Sequence, residues 1–418
     1  MKFLNSKLIF YSLPIILLVG IFSCHKYENI SVGYVTGPRS VCYEEKGVQY
    51  SVENNSAADY ILWTVPEQAQ IISGQGTPKI SVNFGRVAGK ICVSFYSKGE
   101  VKSIDSCIDV TFDVSHHWCR EIDFGGGLRA SGIAFSIGNK GYYGTGYGTS
   151  NIQYNDIWEF DPAINTWTQK ALFNGEPRFA AVGFSIGNKG YVGTGYNASK
   201  KFKDFWQYDP ALNKWTLLDS VPGLPRKYAF GFSIGNKGYI GSGVSENGSI
   251  LQSDFYEYDP ATAHWVSKAD VIEKRESGVG FSIGSKGYLG MGRDATGSNS
   301  NKFWEFDPSD SSNGLDINNN PLGKWTQKSV PATLTGRYVS VGFSIGNKGY
   351  IGTGFDGNNY LKDFWEYDPT TNSWLQQPDF GGEGRGYAVG FSIGSKGYIG
   401  TGANNGLNPL SDFWVFAL

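Results

Sequence analysis

The string Phe-Ser-Ile-Gly-(Asn/Ser)-Lys-Gly-Tyr occurs six times in this 418-residue chain, beginning at Phe135, Phe184, Phe232, Phe281, Phe343 and Phe391. Each copy runs on to a Gly-x-Gly, at Gly144/Gly146, Gly193/Gly195, Gly241/Gly243, Gly290/Gly292, Gly352/Gly354 and Gly400/Gly402. A variable stretch follows, then an aromatic strand ending in Asp-Pro, as in Trp158-Glu159-Phe160-Asp161-Pro162. The period is 48 or 49 residues except in the fourth copy, where twelve extra residues separate Asp307 from Trp325. A fixed period of this length means one supersecondary unit repeated until its neighbours bury its apolar faces. Aromatics at 15%, charged residues at only 18% and 57 glycines suit short strands and tight turns rather than solvated helices.

The ends of the array show how it closes. The sixth copy stops at Trp414-Val415-Phe416-Ala417-Leu418, with no tryptophan strand after it. That strand stands before the first copy instead, at Trp118-Cys119-Arg120-Glu121-Ile122-Asp123-Phe124. Trp118, Trp167, Trp215, Trp265, Trp325 and Trp374 are therefore equivalent positions, and the N-terminal segment is expected to complete the unit built by the C-terminus. Such closure removes the unpaired edges of an open sheet.

The repeat resembles the kelch motif, with four strands per blade, paired glycines and a spaced Tyr and Trp. The resemblance covers residues 115–418, with Gly-x-Gly in place of the kelch double glycine. The expected fold is all-β: a six-bladed kelch-type β-propeller preceded by a small Ig-like β-sandwich. The sandwich is placed at 35–114, where runs such as Tyr60-Ile61-Leu62-Trp63-Thr64-Val65 and Ile108-Asp109-Val110-Thr111-Phe112 alternate between turns. Trp63-Thr64-Val65-Pro66 followed by Ser73-Gly74-Gln75-Gly76-Thr77 resembles PKD-like domains of secreted bacterial proteins, which implies a spacer or adhesion module.

Residues 1–23 read as an export signal, with Lys2 and Lys7 ahead of a short apolar run from Leu8 to Phe22, and 24–34 as a linker. Ile21-Phe22-Ser23-Cys24 resembles a bacterial lipobox, which implies lipidation of Cys24 and anchoring to the cell envelope, at the outer membrane. An ordinary cleaved signal peptide is the alternative. Cys42, Cys92, Cys107 and Cys119 remain as disulfide candidates in an oxidising compartment. Cys92 and Cys107 flank an expected hairpin turn, which would leave Cys42 and Cys119, but three pairings stay open. No CxxC spacing points to zinc.

Within a blade the Gly-Asn-Lys-Gly and Asp-Pro turns share one face and hardly vary. The loops after Gly-x-Gly and the crossings between blades share the other, and they differ from blade to blade. On that variable face an arginine stands six residues before each Phe-Ser-Ile-Gly: Arg129, Arg178, Arg226, Arg275, Arg337 and Arg385. They are expected around the channel mouth, where converging guanidinium groups would favour an anionic ligand. The competing reading is that a residue repeated in every blade bonds the scaffold. Tyr147, Tyr196 and Tyr360 join the arginines as candidate ligand contacts, against a packing role in the core. The turn lysines (Lys140 and its equivalents) and Asp156, Asp204, Asp254, Asp363 and Asp412, with Lys302 breaking the series, read as solvated turn residues and turn-stabilising aspartates. The insertion at 309–320 reads as a flexible polar loop rather than a calcium loop, lacking the closing Glu.

The functional expectation is a membrane-anchored extracytoplasmic monomer that binds a protein or glycan ligand through the arginine-bearing face. A net charge of −2 gives no argument for nucleic acid. No catalytic residue, metal or cofactor is assigned. The histidines are only His25, His116, His117 and His264, and no Ser-His-Asp arrangement is evident. The resemblance extends to galactose oxidase, but from Phe135 onward the chain has no Cys and one His for its copper centre. A sugar-processing enzyme such as a sialic-acid mutarotase or epimerase is the alternative, and a purely structural surface protein the third reading.

Overall fold

A computed structural model describes residues 33–42, 45, 47–53, 58–85, 87–96, 105–112, 117–245 and 250–417. The signal peptide and Cys24 lie outside the described residues, as does most of the linker.

The N-terminal unit is a sandwich of two sheets. One holds Ser40–Val41, Ser106–Phe112, Gly89–Tyr96 and Tyr60–Thr64 in that order; the other holds Val48–Ser51, Lys79–Asn83 and Gln70–Ser73. Alternation turns Trp63, Ile91, Val93, Phe95, Ile108 and Val110 inward against Tyr50, Ile80 and Val82. The Gln75 side chain completes the edge at Trp63: its Oε1 accepts from the Trp63 N–H at 2.9 Å and its Nε2 donates to the Trp63 carbonyl at 3.0 Å. Gly74 is required beside it, since a Cβ there would lie 1.9 Å from the Lys79 carbonyl.

Six four-stranded antiparallel sheets follow, and their innermost strands neighbour one another in a closed ring. The first is Ile133–Ile137, Lys140–Gly144, Ile157–Asp161 and Thr166–Gln169. In the sixth, Val389–Ile393, Lys396–Gly400 and Phe413–Ala417 pair outward with Trp118–Glu121, and Phe416 faces Trp118. That is the register of Phe306 with Trp325 and Tyr367 with Trp374. The Trp118 indole N–H also donates to the Pro378 carbonyl, as those of Trp215, Trp325 and Trp374 donate to Ala171, Ala269 and Ser329.

The repeated string is the code for blade stacking. Phe184 lies against Gly231 and Gly238 of the next blade, where a Cβ at Gly238 would sit 2.5 Å from the ring. Phe232 meets Gly287, Phe281 meets Gly349 and Phe343 meets Gly397 in the same way. The glycines clear a flat surface and the phenylalanine fills it, so the motif needs both at fixed spacing. The turn lysines are not merely solvated. Lys140, Lys189, Lys237, Lys286 and Lys348 pair with Asp161, Asp209, Asp259, Asp307 and Asp368 at the end of the third strand.

The fourth-blade insertion is also more ordered than its composition suggests. Asp316 accepts from the Asn318 and Asn320 backbone N–H groups, and its carboxylate lies 3.6 Å from the Lys268 ammonium. Lys268 is itself buried, and its Nζ donates to the Pro321 carbonyl. The loop is thereby fastened to the third blade. Cys92 is bonded to Cys107 across neighbouring strands of the sandwich, and Cys42 to Cys119 on the closing strand of the propeller.

Candidate functional site at the channel mouth

The arginines run into the blades rather than around the mouth. Arg129, Arg178, Arg226, Arg337 and Arg385 are fully buried, each with a bidentate aspartate partner. Arg178 donates from Nη1 to Asp204 Oδ1 at 2.5 Å and from Nη2 to Oδ2 at 2.8 Å, while Nη1 also donates to the Thr194 carbonyl. Asp156, Asp254, Asp363 and Asp412 serve Arg129, Arg226, Arg337 and Arg385 likewise. Trp158, Trp206, Trp365 and Trp414 add an indole N–H to the same carboxylates, and Tyr256 adds its hydroxyl. Burial alone would raise the Asp412 carboxyl, but the hydrogen bond and charge of Arg385 hold it below the usual range.

This overturns the expectation that six guanidinium groups face an anionic ligand. A buried cation needs its counter-charge inside the protein, and the aspartates that read as turn residues are that counter-charge. The available signal was the aspartate itself, which stands 26 to 28 residues after the arginine in five blades; in the fourth, Lys302 stands in its place, and Glu273 pairs with both Arg275 and Lys302.

What does form the mouth are the residues two places after each arginine. Ser131, Ala180, Tyr228, Ser277, Val339 and Tyr387 line a cavity of about 150 Å³ at the head of the channel. All six have left-handed backbone, with φ from 50° to 58°. Their N–H groups close a cycle, each donating to the equivalent carbonyl of the preceding blade, Ala180 to Ser131 through to Ser131 to Tyr387. A second cycle lies just outside it, where the last glycine of each Gly-x-Gly donates to the carbonyl of the next blade's arginine, as Gly354 does to Arg385. The scaffold is thus the same six times over, while the side chains it presents differ.

Around this rim stand the residues that follow each arginine and their bridge partners. They are aromatic in three blades (Tyr147; Phe179 with Tyr196; Tyr338 with Phe355), charged in two (Lys227; Glu276 with Arg293) and small in the sixth (Gly386 with Ala403). Tyr147, Tyr196 and Tyr360 are half-buried at this rim, and the Tyr360 ring packs 4.8 Å from Phe355. Burial pushes up the Tyr228 and Tyr387 hydroxyls, with further contributions from each other's neighbours Tyr147, Tyr338 and Glu276. Burial also raises the Glu276 carboxyl, against the opposing pull of Lys227, Arg293 and Lys201. The Lys227 ammonium lies 4.7 Å from the Tyr196 ring centre and 5.1 Å from that of Tyr228. Tyr228, Tyr387, Glu276 and Lys227 were not among the sequence candidates. Elsewhere Cys42, His117 and Cys119 come together, but the disulfide takes both thiolates out of use as metal ligands.

The family pattern described as a PKD-like domain matches residues 28–102, and that described as a Kelch motif matches residues 354–381. Among solved structures, one described as the structure of YjhT superposes with a TM-score of 0.59 at 19% identity, covering 70% of this chain and 95% of that one. No curated protein matches the sequence. The chain is a PKD-like domain followed by a kelch-type β-propeller.

Proposed function

We propose that the variable face of the propeller recognises a protein or glycan ligand outside the cytoplasm, held off the membrane by the PKD-like domain and a lipid on Cys24. The observation that carries this reading is the mouth: six positions with one backbone conformation bear Ser131, Ala180, Tyr228, Ser277, Val339 and Tyr387. Diversity confined to one surface of a uniform scaffold is what recognition requires. Tyrosines offer rigid faces for stacking on a sugar ring or an apolar side chain, with hydroxyls to bond it. The contacts belong to these residues, with Tyr147, Tyr196 and Tyr360 beside them, and not to the buried arginines.

Glycan and peptide arrays probed with the exported chain test this. Replacing Tyr228 and Tyr387 together by alanine should weaken capture at least tenfold, about 1.4 kcal/mol, at unchanged melting temperature. Lys140→Ala with Lys189→Ala on the opposite face should leave capture intact. Undiminished capture by the tyrosine variant refutes the reading. A sugar-processing activity is favoured by one feature, the half-buried Glu276 among tyrosines, since a raised carboxyl suits general acid–base work. Catalysed interconversion of sugar anomers, followed by NMR and lost in Glu276→Gln, would establish it.

A further inference from the structure

The fourth blade departs from its siblings at one point. Five blades place an aspartate carboxylate between the arginine and an indole or phenol donor; the fourth places Lys302 there. The donors persist. Arg275 is 1% exposed, and its Nη1 donates to the Met291 carbonyl at 2.8 Å, with the Lys302 carbonyl at 3.5 Å. The Trp304 indole N–H, equivalent to those of Trp206 and Trp365, is buried and has no acceptor among the described residues.

Glu273 does not take over the missing role. It accepts from Arg275 Nη2 at 3.1 Å and pairs with Lys302, but neither Nη1 nor the indole reaches it. Asp294 also acts on Arg275 electrostatically, while its own carboxylate is occupied by Thr296 and the Ser298 N–H. Burial still pushes the Arg275 guanidinium down to about 10, against both carboxylates.

The sibling blades show that this position is reachable from solvent. Their aspartate side chains are 15% to 26% exposed although the arginines are buried. In the second blade Arg178, Asp204 and Trp206 floor a cleft of about 410 Å³.

We propose that the fourth blade is a site for a small monovalent anion of carboxylate or halide type, held by Arg275 Nη1, the Trp304 indole N–H and the Lys302 ammonium in the manner of the sibling aspartates. The carboxylate can be borne by a larger ligand, or the site can take free chloride. Both present a compact single negative charge to the same donors. This site is independent of the tyrosine mouth, so the two stand or fall separately.

The test uses the 15N-labelled chain, with the Trp304 indole resonance assigned through Trp304→Phe. Sodium acetate and sodium chloride are titrated in turn, and the indoles of Trp158, Trp206, Trp365 and Trp414 serve as internal controls for ionic strength. A saturable shift of the Trp304 resonance alone is expected. Tighter saturation by acetate assigns a ligand-borne carboxylate, and tighter saturation by chloride a free halide. Lys302→Asp should abolish the titration and move the resonance to where its four siblings lie. No saturable shift with either salt overturns the proposal, as does a titration that survives in Lys302→Asp. The wild-type titration alone decides if that variant does not fold.

Discussion

Arg178 is a wholly buried cation, and Asp204 takes both its terminal nitrogens and the Trp206 indole. Asp204→Asn keeps the shape but removes the counter-charge. Leaving a buried charge unpaired costs about 3 kcal/mol, to be read as the loss in unfolding free energy in urea. Asp209→Asn, which disturbs only the turn pair with Lys189, should cost less. Glu276 makes a prediction of the opposite kind. Because burial raises its carboxyl above the ordinary 4.5, the native state keeps that proton to higher pH than the unfolded chain does. Its contribution is fully present below pH 4.5 and is lost as pH rises through the raised value. Glu276→Gln should therefore gain stability relative to wild type as pH rises from 4.5 through the raised value, and the two should converge in acid. Urea midpoints measured across that range check the sign, and a difference of opposite slope refutes it.

Strands and turns show what was legible in the sequence and what was not. The string from Phe184 to Tyr191 encodes stacking directly, because a ring lying on glycine leaves little choice of partner. The closing strand was legible because Trp118 has five equivalents to be compared with. The direction of the arginines was not. An arginine ahead of an inner strand reads the same whether it points at the channel or into its blade, and the deciding aspartate lies 26 to 28 residues further on. The mouth was also hidden, since no residue type marks the left-handed backbone shared by Ser131 and Val339. That backbone is unfavourable for a β-branched residue. Val339, at φ 50°, holds it because its N–H donates to Ser277 in the inner cycle. Val339→Gly relieves that conflict but gives up a side chain only 7% exposed, and since burying a valine is worth about 1.5–3 kcal/mol the variant should lose stability, by less than the same deletion at an unstrained position. Gly354→Ala should destabilise for a different reason, since its φ is 96° and a Cβ would meet Ser340 Cβ at 2.8 Å. Melting temperatures of both variants should fall.

At the scale of the molecule, two contacts make one cooperative body of a ring and a sandwich. The ring is closed without a covalent bond by Trp118–Glu121 pairing with Phe413–Ala417, and the Trp118 ring sits 4.9 to 5.3 Å from Phe364, Phe380 and Phe416. The next residue, Cys119, carries the disulfide to Cys42 of the sandwich. The strand that closes the ring is therefore also the strand that ties the two domains together. Each blade shares its inner hydrogen-bond cycles with both neighbours, so opening at the sixth blade breaks both cycles at once. Trp118→Ala, a large buried aromatic lost from a packed core, should cost about 3–5 kcal/mol. The loss should lower one calorimetric transition for the whole propeller rather than split off a sixth-blade transition. Replacing Cys42 and Cys119 together by serine should leave both domains folded, lower the propeller transition by a few degrees, and uncouple it from the melting of the sandwich. A separate sixth-blade transition in the tryptophan variant, or a propeller transition unmoved in the serine variant, would show that the ring does not depend on its closing strand in this way.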